Sequence, residues 1–348
     1  IQKEVDFNLR KETVIKVHGS EHLVETENGS EQYDRILIAT GARAFAPPVK
    51  GLEPEDAFLM RTVEDALRFK DRLKKNDIKH AVVIGASMAG IKVVEVLHKY
   101  GIETWLLDLA SYIFPLAAYK EVAEEIEKRV EAQGVHLMFG VTIDHMEQEN
   151  GEKVAVLTDG SRIPADIVGL CIGTRAITET VQGEVEITRG IVVDDHMRTS
   201  VPGIYAAGDC CEGNNLESGQ KQIIGLWANA NHQGETAGIN MAGGDAVYKG
   251  NILHNITHFM NMDFIGFGDN RMQGEILEYL YIRLVLDGKR IVGANILDNY
   301  RISGIIKNYM LRLFAGEQFV LPDYQRAMLV KAGLSVPFID EVEEKIHG

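Results

Sequence analysis

The sequence predicts an α/β protein built of two doubly wound domains, one interrupting the other, closed by a C-terminal α+β domain. Three observations lead there. Short apolar runs alternate with segments of helical period from residue 36 to about residue 241, the pattern of a mainly parallel sheet. A glycine turn stands between a strand and a helix at Ala81–Gly90. After Gly250 the pattern changes to strand-like runs without helices between them.

The composition is compatible with that architecture. The chain has 348 residues, too many for one ordinary core, so two or three domains are expected. Hydrophobic residues at 45% and charged residues at 25% suffice for packed interiors. The net charge of -15 argues against nucleic-acid binding, which needs clustered Lys and Arg. Three cysteines, Cys171, Cys210 and Cys211, make no disulfide framework and favour a reducing, cytoplasmic setting. No apolar run reaches the roughly 18 residues of a membrane helix. Residues Ile1 to Arg10 read as the interior of a longer segment.

In chain order, Thr13–Val17 and His22–Thr26 alternate as two short strands, with Asn28-Gly29 as a turn. Ile36–Ala39 reads as a strand buried on both faces. Residues 62–75 have helical period, with Ala66, Leu67, Phe69 and Leu73 apolar. A buried strand follows at Ala81–Ile84, then a helix to about Tyr100 and a strand at Glu103–Leu107. A helix near 119–133 precedes strands near Val135–Phe139, Val154–Leu157 and Asp166–Ile172. A strand at Ile204–Ala207 and a helix near 225–241 follow. An antiparallel sheet is expected over 252–297, including Phe264–Gly268, Leu277–Val285 and Arg290–Ile296. Two helical segments end the chain.

The glycine turn carries the first chemistry. In Val82-Val83-Ile84-Gly85-Ala86-Ser87-Met88-Ala89-Gly90, Gly85 permits a tight turn and Gly90 permits close packing of helix on strand. The helix N-terminus offers free N–H groups and a positive dipole end to a pyrophosphate. Ser87 stands where a second glycine is usual, and a small residue can serve. Asp108 ends the next strand about 20 residues on, the spacing of an acid that accepts hydrogen bonds from an adenosine ribose diol. No Arg or Lys stands at 109–114 to receive a 2′-phosphate, so NADH is expected over NADPH. A plain α/β domain with an incidental glycine turn is the competing reading, and the strand, the helix and Asp108 together weigh against it.

Two further segments resemble a known family. They are Tyr33-Asp34-Arg35-Ile36-Leu37-Ile38-Ala39-Thr40-Gly41-Ala42 and Thr199-Ser200-Val201-Pro202-Gly203-Ile204-Tyr205-Ala206-Ala207-Gly208-Asp209-Cys210. Both are similar to segments of the FAD-dependent pyridine nucleotide-disulfide oxidoreductases, in the branch of NADH oxidases, rubredoxin reductases and nitrite reductase flavoproteins. The resemblance implies two doubly wound nucleotide-binding domains, for FAD and NAD. It implies that Asp209, after Gly208, binds the ribityl chain, that Thr40-Gly41 and Ala42 form the turn beneath the flavin, and that Gly173 ends the strand leaving the NAD domain. Leu226-Trp227 would open a helix aimed at the flavin pyrimidine, where a helix N-terminus stabilises the charge a reduced flavin gains.

The chain departs from the family in several places. The family's first βαβ unit, which holds the FAD pyrophosphate, is not found, so native protein is expected to carry residues before Ile1. The redox-cysteine region and the C-terminal His-Pro element of disulfide-reducing members are missing. Lys92 and Ala176 replace the family's usual Glu and Pro.

Other candidates read as structural. Cys210-Cys211 is expected to have no redox duty, Cys171 to be core, Met88 to pack at the turn, and the acidic helix 119–131 to present a solvated face. His254 and His258 lie four apart on what reads as strand or loop, so metal ligation is not expected. The expected organisation is a flavin domain from 1–55 and 174–248, an NAD domain at 56–173, and a C-terminal domain at 249–348 that forms a dimer interface or a partner surface. The implied activity is electron flow from NADH through FAD to oxygen, a rubredoxin-like protein or a quinone, with no side chain needed as catalytic acid or base. The alternative is a non-catalytic or electron-relay subunit of a larger complex.

Overall fold

A computed structural model describes residues 7–348, so the first six residues of the segment Ile1–Arg10 lie outside it. Among the described residues the α-helices are, in order, α1 (Val63–Leu73), α2 (Met88–Lys99), α3 (Lys120–Glu131), α4 (Trp227–Met241), α5 (Ser303–Phe314), α6 (Asp323–Lys331) and α7 (Val336–His347). The described residues form two compact units, one of residues 7–43 and 175–251, the other of residues 44–174 and 252–348.

In the second unit a five-stranded parallel sheet runs in the order Ala57–Phe58, Ile167–Leu170, His80–Ile84, Glu103–Asp108, His136–Phe139. Its central strands are buried on both faces, as their continuous apolar runs require. Alternate residues enter two different cores. Ala81, Val83 and Leu106 pack with α1, α2 and α3. Val82, Ile84 and Leu107 pack against a small antiparallel sheet of Ile143–Glu149, Glu152–Leu157 and Arg162–Pro164. Only the middle strand of that small sheet was expected. Its first strand, Ile143-Asp144-His145-Met146-Glu147-Gln148-Glu149, buries just Ile143 and Met146, too few apolar positions to show a period.

Helix α1 begins with a capping box. The Thr62 hydroxyl accepts the Asp65 N–H at 3.1 Å, and the Asp65 carboxylate accepts the Thr62 N–H at 2.9 Å. Its core contact is narrower than its sequence suggests: Phe69 and Leu73 are buried, whereas Ala66 and Leu67 face solvent. Helix α3 buries Ala123, Ile126 and Val130 and exposes Glu121, Glu124 and Glu131, but the expected solvated face is not uniform, because Glu127 is half-buried and accepts the Ile113 N–H at 2.8 Å.

The C-terminal part of the same unit is an antiparallel sheet in the order His254–Phe259, Met262–Gly268, Arg290–Leu297, Ile282–Asp287, Glu275–Tyr279. The single strand expected over Leu277–Val285 is two strands joined at Leu280, which has φ +52°. An apolar residue in a left-handed turn gives no sequence signal, because Asn or Gly normally fills such positions. Three helices, not two, follow the sheet. Phe259, Met260, Met262, Phe264 and Leu297 of this sheet join the core beneath α2 and α3.

In the first unit, Val14–His18, Leu23–Thr26 and Gly29–Gln32 form an antiparallel meander whose third strand is polar and was not foreseen. Ile36–Ile38 pairs in parallel with Ile204–Ala206. Among the described residues this pair is two-stranded, and Ile36 and Leu37 are therefore half-buried instead of enclosed on both faces. Helix α4 packs over Ile204–Ala206, with Ala237 in the core.

Candidate functional site

The expected site residues fall into one group in each unit. In the second unit they surround the glycine turn between His80–Ile84 and α2. Gly85 has φ +104°, and a Cβ there would stand 2.3 Å from the Cys171 carbonyl oxygen. A Cβ on Gly90 would stand 1.9 Å from the Gly85 carbonyl oxygen. Only glycine fits either place, so the close approach of helix and strand is genuine. Ser87 is the N-cap of α2: its hydroxyl accepts the Gly90 N–H at 3.4 Å and donates to the Cys171 carbonyl at 3.2 Å. A serine thus replaces glycine without closing the turn. Met88 is half-buried against the core and Ala89 is exposed on the first turn of α2.

Asp108 ends its strand beside this turn. Its Oδ2 accepts the Ala86 N–H at 2.7 Å and its Oδ1 accepts the Ala110 N–H at 2.8 Å. Each oxygen keeps a second lone pair, so the carboxylate is oriented by the backbone and can still accept from a diol. Leu109 beside it is 69% exposed, and the residues that follow, 109–114, include no Lys or Arg. Gly173, φ +102°, has open space where a Cβ would point.

Lys92 takes a structural role. Its ammonium bonds the Glu95 carboxylate and donates to the His258 carbonyl at 2.6 Å. Glu95 also accepts from Lys99 at 3.0 Å and from the Met260 N–H at 3.3 Å. Burial pushes the Glu95 carboxyl upward, but the two lysines and the Met260 N–H outweigh it and hold it at about 2. This clamp between α2 and the C-terminal sheet had no sequence signal beyond a Lys-x-x-Glu spacing.

In the first unit the expected residues gather around Gly208 and Asp209. Gly208 has φ +84°, and its N–H donates to the Gln233 side chain of α4 at 2.9 Å. Gly225 lies so close to Asp209 that a Cβ there would approach the carboxylate to 3.8 Å. Thr40 is exposed, with its hydroxyl donating to the Ile177 carbonyl at 2.5 Å. Gly41 has φ +70° and open space where a Cβ would point, and Ala42 is half-buried in the next strand. Helix α4 has Leu226 as N-cap with no side-chain cap, and Trp227 is 85% exposed. Leu226 thus offers no side-chain acceptor to the first N–H groups of the helix.

Cys210 and Cys211 are buried behind these residues. The Cys210 thiol lies 3.4 Å from the Ile38 carbonyl and the Cys211 thiol 3.5 Å from the Gly208 carbonyl. The bond from Cys211 outweighs burial and, with bonds from Gly41 and Thr40, lowers Cys210 to about 6. The same bond and burial push Cys211 upward. Cys171 is core, its thiol pushed up to about 12 by burial. His254 and His258 both lie on the strand His254–Phe259 and face different partners: Lys307 Nζ at 3.0 Å and Asp263 at 2.8 Å. Asp194, Asp195 and His196 form an acidic cluster missed in the sequence, but the Asp194 carboxylate is engaged by the His196 and Arg198 N–H groups as a turn brace. Among the described residues no helix is long and apolar enough to cross a membrane.

Residues 1–234 match the family model of the pyridine nucleotide-disulphide oxidoreductases. The chain belongs to this family. Among its pyridine nucleotide-disulphide oxidoreductase relatives is an NADH oxidase of Methanocaldococcus jannaschii, 30% identical over 255 residues, which cover 71% of this chain and 56% of that one. Another is the epsilon subunit of an NADH-dependent phenylglyoxylate dehydrogenase of Aromatoleum evansii, 26% identical over 316 residues, covering 87% of this chain and 74% of the subunit. The chain spans about half the length of several curated relatives it matches. In fold it is similar to the water-forming NADH oxidase of Lactobacillus brevis, with TM-score 0.82 and 21% identity over 92% of this chain and 82% of that one. The fold class expected from the sequence is thus the fold of this family.

Proposed function

We propose that this chain binds NADH and FAD and passes electrons from the one through the other to a further acceptor. The observation that carries the reading is Asp108, held by Ala86 and Ala110 at the edge of a turn that only glycine can form at positions 85 and 90. Bound NADH would supply a hydride from its nicotinamide ring and bound FAD would supply the flavin that takes it. The chain's own residues bind and orient. The N–H groups at the start of α2 would take the NADH pyrophosphate, and Asp108 would take the adenosine ribose diol. Gly173 would leave room beside the nicotinamide domain. Asp209 would accept from the flavin ribityl hydroxyls, with Thr40, Gly41, Ala42, Gly208, Leu226 and Trp227 lining the same site.

In this reading residues 1–55 and 174–248 form the flavin domain, 56–173 the NAD domain, and 249–348 a dimer or partner surface. Oxygen, a rubredoxin-like protein and a quinone are the acceptors to test in turn. The test is anaerobic: NADH added to the chain isolated with FAD should bleach the visible flavin absorbance. Asp209→Ala should lose FAD on gel filtration, since it strips acceptors worth about 1–3 kcal/mol per group from buried hydroxyls. Full retention of FAD by that variant, with an unchanged spectrum, would overturn the flavin assignment. A second reading, an electron-relay subunit of a larger complex, draws support from the relative that is itself named a subunit. A colourless chain, silent to NADH, favours that alternative.

A further inference from the structure

The turn that would hold the NADH pyrophosphate is fixed by three hydrogen bonds. The Gly85 N–H donates to the Leu107 carbonyl at 2.8 Å, the Ala86 N–H to Asp108 Oδ2 at 2.7 Å, and the Phe114 N–H to the Ala86 carbonyl at 2.8 Å. Two of these bonds come from the neighbouring strand. The third comes from the segment 113–119, which belongs to no helix or strand.

That segment is held at its start by α3, whose Glu127 carboxylate accepts the Ile113 N–H at 2.8 Å, and over the rest of its length by the C-terminal sheet and the turn at Asn270. Phe114 is 1% exposed with φ +54°, a conformation that persists only where the surroundings over-determine it. Its ring stacks on Phe264 at 5.0 Å and meets Phe259 edge-on at 5.5 Å. The Asn270 amide donates to the Pro115 and Ala118 carbonyls at 2.9 and 2.6 Å. Asn295, fully buried, accepts the Tyr119 N–H at 2.7 Å and donates to the Ala117 carbonyl at 2.9 Å. Four backbone polar groups of a segment without regular structure therefore find partners on two asparagines of the C-terminal part of the same unit, Asn295 in a strand of its sheet and Asn270 in the turn after Met262–Gly268. Cut those bonds, and Phe114 loses the frame that aims its N–H at Ala86.

We propose that the C-terminal sheet braces the dinucleotide turn, and that Asn270 and Asn295 are positioning residues that set NADH affinity without touching the nucleotide. The inference rests on the NADH reading above. Binding at one site then depends on the packing of an element that makes no contact with the ligand, a coupling of the size commonly seen between adjoining elements.

The test measures NADH affinity by calorimetry on the full chain, for Asn270→Ala and Asn295→Ala, beside Leu329→Ala in the buried face of α6 as a control of similar melting temperature. We expect Kd to rise about tenfold in both asparagine variants and to stay within about twofold in the control. With an artificial acceptor such as ferricyanide, KM for NADH should rise by the same factor while kcat holds, a split that general destabilisation does not give. Should Asn295→Ala fail to fold, the half-buried Asn270 decides the matter. Wild-type affinity in both asparagine variants, with Asp108→Ala still weakened, would overturn the brace and leave the NADH site standing. A wild-type chain that does not bind NADH would overturn both.

Discussion

The sharpest prediction concerns Asp108, because its two oxygens are both engaged by backbone donors. Asp108→Ala removes the acceptor of the Ala86 N–H at 2.7 Å, the acceptor of the Ala110 N–H at 2.8 Å, and any acceptor for the ribose diol. A hydrogen bond to a charged group contributes about 1.5–3 kcal/mol, so losing the diol contact alone weakens NADH roughly 10- to 150-fold. Asp108→Asn is informative for a different reason. Since each oxygen faces an N–H, an amide in either orientation must point its NH2 group at a backbone donor. Asparagine therefore gives up one turn contact as well as the charge, and should fall near alanine in place of wild type. Calorimetry with NADH and NADPH on wild type and both variants decides it. Wild type should prefer NADH, because the carboxylate repels a 2′-phosphate. Equal use of NADPH by wild type, or an asparagine variant that binds NADH as wild type does, would refute this account of the site.

Gly90→Ala should abolish NADH binding, since its Cβ has no room beside the Gly85 carbonyl, whereas Ser87→Gly should keep affinity within about threefold because a glycine N-cap costs only a few tenths of a kcal/mol. Calorimetry compares the two. Glu95→Gln should lower the melting temperature at neutral pH. The folded carboxyl at about 2 lies below its ordinary value of 4.5, so its stabilisation is present above pH 4.5 and fades as pH falls toward 2. The exposed lysines are partly screened by solvent, which reduces the expected effect to about 1–2 kcal/mol, and the gap between variant and wild type should narrow over that acid range in thermal melts. Replacing Cys210 and Cys211 together by Ser should leave flavin reduction by NADH within a few-fold; a charge-transfer band in reduced protein that vanishes in the double variant would make the pair redox partners.

Much of the fold was legible because burial on both faces leaves an unbroken apolar run. His80–Ile84 and Glu103–Asp108 are such strands, and their ends were placed within a residue. The strands around Ile143–Pro164 were illegible where one face is solvated and charged, and the hairpin at Leu280 was hidden by an apolar turn residue. At the site, glycine spacing and Asp108 could be read because they are consequences of local geometry. The Phe114–Ala86 bond and the closeness of the Cys210 thiol to the Ile38 carbonyl could not, since each joins segments far apart in the chain and leaves no periodic trace.

The alternation of His80–Ile84 between two cores has a bearing on how such a chain changes over generations. Val83 answers to the helices, α2 among them, and so to the turn at its head; Val82 answers to the small antiparallel sheet on the opposite face. A volume change at one position is absorbed by a different set of neighbours from a change at the next. The sheet therefore separates two layers that can drift independently. The face behind the antiparallel strands is free to acquire new loops and surfaces, while the helical face keeps the spacing on which a bound nucleotide depends.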